Sequence, residues 1–293
     1  MDDSQYQLVS LAGIDLSVIV HGPKSGQPVV FLHGFPETAC LSWSQQLQWF
    51  ADRGYRVIAP DQRGYGASAK PTGVSSYALP RLAQDVVDLI RSQGWEKATV
   101  VGHDWGAAVT WYLADQHSEV VREAVILNVP HPAIMERELK RNPGQLLKSW
   151  YIFFFQLPWL PERLLSLGHY AWLRKTLLSS GEKDTFPQEN LDEYVAAWKR
   201  PGALRAMINW YRAFVRYPVK IDPERKVGVP VLMIWGERDK FLDKSMARPS
   251  IEMCEQGELE LIAEATHWVQ HEFPDRVNAR IERFLKSRHL IEG

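Results

Sequence analysis

The sequence predicts an α/β fold: a mostly parallel, twisted sheet with helices on both faces and a helical segment inserted between two strands. Three observations carry this. Short, β-rich apolar runs alternate with stretches of helical spacing, which is the rhythm of right-handed crossovers. The later runs are apolar at nearly every position, as strands covered on both faces must be. From about residue 132 the strand rhythm stops, and it resumes only after residue 225.

In chain order the strand candidates are IDLSVIVHG (14–22), PVVFLHGF (28–35), YRVIAP (55–60), KATVVGHD (97–104), REAVILNVP (122–130), VPVLMIWG (229–236) and ELELIAEA (258–265). Between them LSWSQQLQWFADRG (41–54), LPRLAQDVVDLIRSQG (79–94) and AAVTWYLADQH (107–117) carry helix spacing. The first two of these end at a glycine, a common helix stop. The first two strand candidates lie too close together for a crossover, so an antiparallel hairpin between them is expected. Residues 132–225 read as helical stretches punctuated by Pro and Gly. They hold 15 of the 33 Trp, Tyr and Phe residues in 94 of the 293 positions, which suggests an aromatic cap over the sheet's carboxyl edge. Open α/β sheets bind ligands at that edge. The expected division is a core of residues 1–131 and 226–293 and a helical cap of residues 132–225.

Composition narrows the function. With 45% hydrophobic and 24% charged residues the chain is neither disordered nor fibrous. A net charge of −1 lacks the basic field that non-specific nucleic-acid binding requires. Cys40 and Cys254 are too few for a disulfide framework or a four-ligand zinc site. The longest apolar run, residues 150–160, is interrupted by Gln156 and Pro158, whereas a bilayer span needs about 20 residues. The opening MDDSQYQ is acidic and polar, unlike a secretory or transit peptide, so a cytoplasmic protein without a membrane span is expected.

The strongest chemical signal is VVGHDWGAAVTW (100–111), where a strand runs into Gly102-His103-Asp104-Trp105-Gly106 and a helix begins at once. This is the Gly-x-nucleophile-x-Gly elbow with aspartate as the nucleophile. By itself it could be an ordinary turn with an Asp cap. Three further segments change that reading. Phe31-Leu32-His33-Gly34-Phe35-Pro36 closes a strand with a loop able to aim backbone N–H groups at the elbow. Asp239 follows the strand ending in Trp235-Gly236, and His267 follows the last strand. Nucleophile, acid, histidine is the chain order of this architecture's triad. Glu237 and Asp243 fit the acid position less well than Asp239.

From about Val29 onward the sequence resembles the α/β-hydrolase superfamily. Within it, HGFPE, DQRGYGAS, GHDWGA, WGERD and THWVQHE resemble the soluble epoxide hydrolases. The resemblance implies that Asp61, Arg63 and Gly64 form a structural turn. It also implies two proton-donating cap tyrosines. Tyr151 stands in WYIFFFQLP and Tyr211 in the family's Asn-Trp-Tyr-Arg.

Chemistry supports the same branch. Serine attacking a saturated carbon would leave an ether that water does not readily cleave. A carboxylate leaves an ester, whose carbonyl carbon is open to water. Asp104 therefore suits ring opening or halide displacement, with His267, oriented by Asp239, activating water. The N–H groups of Phe35 and Trp105 are expected to hold the oxyanion. An epoxide oxygen leaves as a basic alkoxide and needs a donor, and a phenol with an ordinary pKa near 10 is one. The alternative is a haloalkane-type dehalogenase with the same triad. Those enzymes usually carry Asn or Glu where this chain has Phe35, and fluoroacetate-type relatives carry an arginine after the nucleophile, where Trp105 and Ala108 stand here.

The expected activity is hydrolysis of an apolar or aryl epoxide to a vicinal diol by a monomer or homodimer, without metal or organic cofactor. Phe35, Pro36, Trp105, Phe154, Phe155, Trp210 and Trp268 are the expected pocket, and Phe153 and Trp159 add to the cap's apolar character. His267 and His271 share a helical spacing, but Trp268 replaces the glutamate of HExxH, which leaves zinc a poor fit. His103 is expected to pack beside the elbow, and His131, His169 and His289 carry no motif. A non-catalytic ligand sensor of the same fold usually has a broken triad, and this one is complete.

Overall fold

The computed structural model describes residues 6–292. The acidic opening at residues 1–5 lies outside them, as does the side chain of His289. Among the described residues eight strands form one sheet: β1 (Tyr6–Leu11), β2 (Ile14–His21), β3 (Pro28–Leu32), β4 (Arg56–Pro60), β5 (Ala98–His103), β6 (Val121–Leu127), β7 (Val231–Gly236) and β8 (Gly257–Ile262). Their order is β1-β2-β4-β3-β5-β6-β7-β8, antiparallel at β1/β2 and β2/β4 and parallel from β4 onward.

The hairpin expected between the first two strand candidates, β2 and β3, does not form. β2 pairs with β1, a strand the sequence reading missed, in the register Leu11↔Ile14 to Tyr6↔Ile19. On its other side β2 lies against β4 rather than β3. The reason is the crossover from β3 through α1 (Ala39–Asp52), which places β4 between β3 and β2. β1 escaped notice because it is a half-exposed edge strand whose residues are nowhere fully buried.

Helices α2 (Leu79–Ser92) and α3 (Trp105–Gln116) follow as their spacing predicts. Past Asp52 and Ser92 the chain reverses at Gly54 and Gly94, both at positive φ, where a side chain would be strained. Consecutive strand residues feed two cores. Val30, Leu32, Val100 and Met233 belong to the core that includes α2 and α3, while Val29, Phe31, Val101 and Leu232 belong to the core on the other face, which includes α1. Both faces are therefore covered, which explains the unbroken apolar runs.

Between β6 and β7 the described chain is helical: α4 (Pro132–Arg141), α5 (Pro143–Lys148), α6 (Trp150–Phe154), α7 (Leu160–Ser180), α8 (Gln188–Trp198) and α9 (Ala203–Arg216). α7 breaks where Gly168, His169 and Tyr170 adopt left-handed geometry. Ile152, Phe155, Leu173, Trp198 and Tyr211 join the core formed by β3, β5 and α3, so this insertion is packed onto the sheet. After β7 come α10 (Ala247–Ile251), α11 (Val269–Glu272) and α12 (Pro274–Glu292), the last of which packs beside α1. No helix among the described residues is long and apolar enough to cross a membrane.

The topology selects the site. β3 leads to β4 on one side while its other neighbour is β5, so the chain diverges between the carboxyl ends of β3 and β5. Such a switch point leaves a crevice. Phe35 and Asp104 stand on its two sides.

Candidate active site

Asp104 sits between β5 and α3 with φ 48° and ψ −121°, a region non-glycine residues rarely enter. Its neighbours enforce the turn. A Cβ on Gly102 would lie 2.3 Å from the Gly106 carbonyl oxygen, and one on Gly106 would lie 2.0 Å from that of Leu32. A Cβ on Gly34 would meet Asp104's own Cβ at 2.3 Å. These glycines let β5, α3 and the loop after β3 converge around one raised carboxylate.

That carboxylate is held at both oxygens. Oδ1 accepts from the Phe35 backbone N–H at 2.8 Å, and Oδ2 lies 3.5 Å from His267 Nε2. His267 Nδ1 is 2.7 Å from Asp239 Oδ2. Because a carboxylate only accepts, Nδ1 carries the hydrogen and Nε2 is the nitrogen turned to Asp104. Asp239 Oδ1 accepts from the N–H groups of Phe241 and Leu242, at 2.7 and 3.0 Å. The structure thus brings Asp104, His267 and Asp239 into one line, joined by a His267–Asp239 hydrogen bond and a longer His267–Asp104 ion pair. Glu237 instead pairs with Lys244, and Asp243 caps Ser245 and pairs with Lys148.

Charge follows geometry. Burial opposes ionisation of Asp104, but His267, His103 and the Phe35 N–H outweigh it and hold its carboxyl below the usual range. Burial likewise disfavours a charged His267, yet the Asp239 and Asp104 carboxylates raise its pKa to about 10. The resting site is an ion pair.

Above it, Tyr151 on α6 and Tyr211 on α9 meet edge to face with ring centroids 5.7 Å apart. Burial first, and then the Asp104 charge, holds both phenols well above their ordinary pKa. Both rings line a cavity of about 490 Å³ that also contains Asp104 and His267. Phe35, Pro36, Phe154, Phe155 and Trp268 line it, as the sequence predicts. Leu147, Trp150, Leu165, Trp172 and Phe241, not singled out from sequence, line it too.

Two expected pocket residues lie elsewhere. Trp210 does not line this cavity. Its indole donates to the Arg63 carbonyl at 2.9 Å and packs on Tyr65, because α9 turns it one residue away from Tyr211. Trp105 borders a separate space of about 90 Å³ behind the tyrosines, shared with Asp104, Ala108 and Met135. Phe153 and Trp159 are exposed. The turn after β4 is structural, as expected. Asp61 accepts from the Ala39 N–H at 2.9 Å, and Arg63 pairs with Asp85 at 2.6 Å.

Two supporting residues escaped the sequence reading. Asn128, at φ 53° after β6, donates to Asp239 Oδ2 at 2.8 Å and accepts from Gly236 N–H at 3.0 Å. It braces the acid. Glu37 is fully buried and takes His271 Nε2 at 2.6 Å, His103 Nδ1 at 3.1 Å, Ser42 Oγ at 3.0 Å and Tyr194 OH at 3.3 Å. Burial would raise its carboxyl, but His271 and His103 hold it well below the usual range. His103 in turn lies 2.9 Å from the His267 carbonyl oxygen, tying the end of β5 to the loop that carries His267. His103 therefore stands behind the site, and His267 and His271 face different carboxylates. Among the described residues no group of three or more His, Cys, Asp or Glu side chains is placed to hold a metal.

A family model described as alpha/beta hydrolase fold matches residues 27–274. The chain is 43% identical over 288 residues to AB hydrolase superfamily protein YfhM of Bacillus subtilis, covering 98% of this chain and all of that protein. It is 36% identical to human epoxide hydrolase 4 over 96% of this chain and 78% of that one. Among solved structures, a Bacillus megaterium epoxide hydrolase in complex with an inhibitor superposes with a TM-score of 0.88 at 30% identity, over 96% of this chain and all of that one. The chain belongs to the α/β-hydrolase family, in the group formed by its epoxide hydrolase relatives.

Proposed function

We propose that the protein opens an epoxide by attack of Asp104 and then hydrolyses the resulting ester to release a vicinal diol. One observation carries the reading: the Asp104 carboxylate, backed by His267 and Asp239, shares an apolar cavity with two protonated phenols, Tyr151 and Tyr211.

The epoxide oxygen accepts hydrogen bonds from both phenols while the ring carbon faces Asp104. Oδ1 is anchored by the Phe35 N–H, which leaves Oδ2 to attack. The C–O bond breaks, and the alkoxide takes its proton from a phenol. Alkylation also removes the negative charge of Asp104, one of the two carboxylates that keep His267 protonated. The ring's pKa falls, its proton replaces the one the phenol gave up, and the neutral imidazole becomes the base for water. Asp239 keeps it oriented. Water then attacks the ester carbonyl. The oxyanion forms on Oδ1, where the Phe35 N–H already sits and the Trp105 N–H at the start of α3 adds a second donor. Its collapse breaks the Cγ–Oδ2 bond, and the diol leaves with the Oδ2 oxygen and a proton, restoring the Asp104 carboxylate beside a protonated His267.

Halide displacement needs the same nucleophile but no phenol. Turnover of styrene oxide and of a 1-haloalkane, with diol and halide measured separately, distinguishes them. Diol from styrene oxide with no halide from the haloalkane is expected. Halide release without diol would overturn the proposal.

A further inference from the structure

The surface around the cavity mouth is unlike the rest of the molecule in both charge and polarity. Residues 132–225 carry 15 Lys and Arg against 10 Asp and Glu, a balance of +5, whereas the other 199 residues carry 19 against 25, a balance of −6. The same segment, about a third of the chain, holds 12 of the 14 large hydrophobic side chains exposed among the described residues, and nine of these lie in 146–178. A monomer rarely leaves so much apolar surface together without a partner for it.

This surface is continuous with the cavity. Leu147, Trp150 and Trp172 line its mouth while remaining 74%, 49% and 38% exposed. The two indoles are stacked, with ring centroids 6.0 Å apart and planes at 17°. Lys148 and Lys240 line the same opening. Along α7, Lys175 lies one turn beyond Trp172, and Arg163 sits over the Trp159 ring at the helix's start. Exposed indoles and leucines interleaved with basic side chains suit the headgroup layer of a bilayer, where the rings reach the acyl boundary and the cations meet lipid phosphates.

We infer that the outer face of α5–α7 docks on an anionic lipid surface and sets the mouth of the cavity against it. Self-association through this face is disfavoured by its own charge, because residues 143–180 carry Lys148, Arg163, Arg174 and Lys175 against Glu162, so two copies would oppose balances of +3. An anionic bilayer satisfies the apolar and the basic groups together. Docked this way, the cavity draws apolar substrates from the membrane without passing them through water. The inference concerns binding and holds whichever bond the site cleaves.

The test is flotation of the full chain with vesicles of phosphatidylglycerol and phosphatidylcholine in equal amounts, and with phosphatidylcholine alone. The mixed vesicles should carry about tenfold more protein, and added salt should weaken that binding. Phe153→Ser with Trp159→Ser, and separately Arg163→Glu with Lys175→Glu, should each lower binding about tenfold, while the melting curve stays that of the wild type. None of these four side chains lines the cavity. Equal flotation on both vesicles, no flotation on either, or variants that bind as the parent does would overturn the inference. So would a concentration-dependent dimer that the same substitutions dissolve, which would make this face a self-interface.

Discussion

The His267→Gln variant should gain one substrate mass after brief exposure to styrene oxide and then hold it. Asp104 in the variant is still a raised carboxylate anchored by the Phe35 N–H, so alkylation remains open to it. Glutamine cannot take a proton from water, and removing a general base costs about 10²–10⁴ in the step it serves. Ester formation then outruns ester hydrolysis, and the intermediate accumulates. Intact mass spectrometry detects the adduct and peptide mapping places it on the segment containing Asp104. The Asp104→Asn, His267→Gln double variant should stay unmodified. A single variant that also remains unmodified would mean that His267 is needed for attack itself, and the division of labour between nucleophile and base would be wrong.

The second large effect belongs to the phenols. Tyr151→Phe and Tyr211→Phe keep the edge-to-face packing of the two rings with each other and with Phe155, so the melting temperature should barely move. Each removes one hydrogen bond to a developing alkoxide, a loss worth about 10² in rate when such a donor is deleted from a dry site. With both gone the alkoxide has no donor and ester formation should fall to near background. Rapid-mixing measurement of alkylation separates this step from hydrolysis, which the substitutions should leave alone. A double variant alkylated at the wild-type rate would return both tyrosines to a packing role.

Much of this arrangement was legible because steric demands leave few residue choices. Gly102 and Gly106 flank Asp104 because no side chain fits against the Gly106 and Leu32 carbonyls, and that spacing is visible in any reading of the chain. The order of Asp104, Asp239 and His267 follows from a parallel sheet that delivers its functional loops to one edge. Glu37 and Asn128 were not legible in the same way. A Glu beside a Pro and an Asn after a strand are ordinary surface residues unless the fold buries them, and only the converging loops show that His103, His271 and Asp239 are their partners. Trp210 was misplaced for the opposite reason. Aromatic content marks a segment that buries rings, but neighbouring positions on α9 diverge, one to the cavity and one to the Arg63 carbonyl. β1 and its pairing with β2 depend on an edge position that a half-exposed pattern does not announce.

Covalent catalysis and direct attack of water on the epoxide use the same residues and give the same diol, and they differ only in where the oxygen comes from. If Asp104 is the nucleophile, the oxygen added to the ring carbon comes from its carboxylate, and water enters at the ester carbonyl. A single turnover in ¹⁸O-water, with enzyme in excess of styrene oxide, should therefore yield unlabelled diol and leave ¹⁸O in the peptide containing Asp104. Diol that carries ¹⁸O from the first turnover, with Asp104 unlabelled, would make the aspartate a general base for hydration and contradict the ester mechanism.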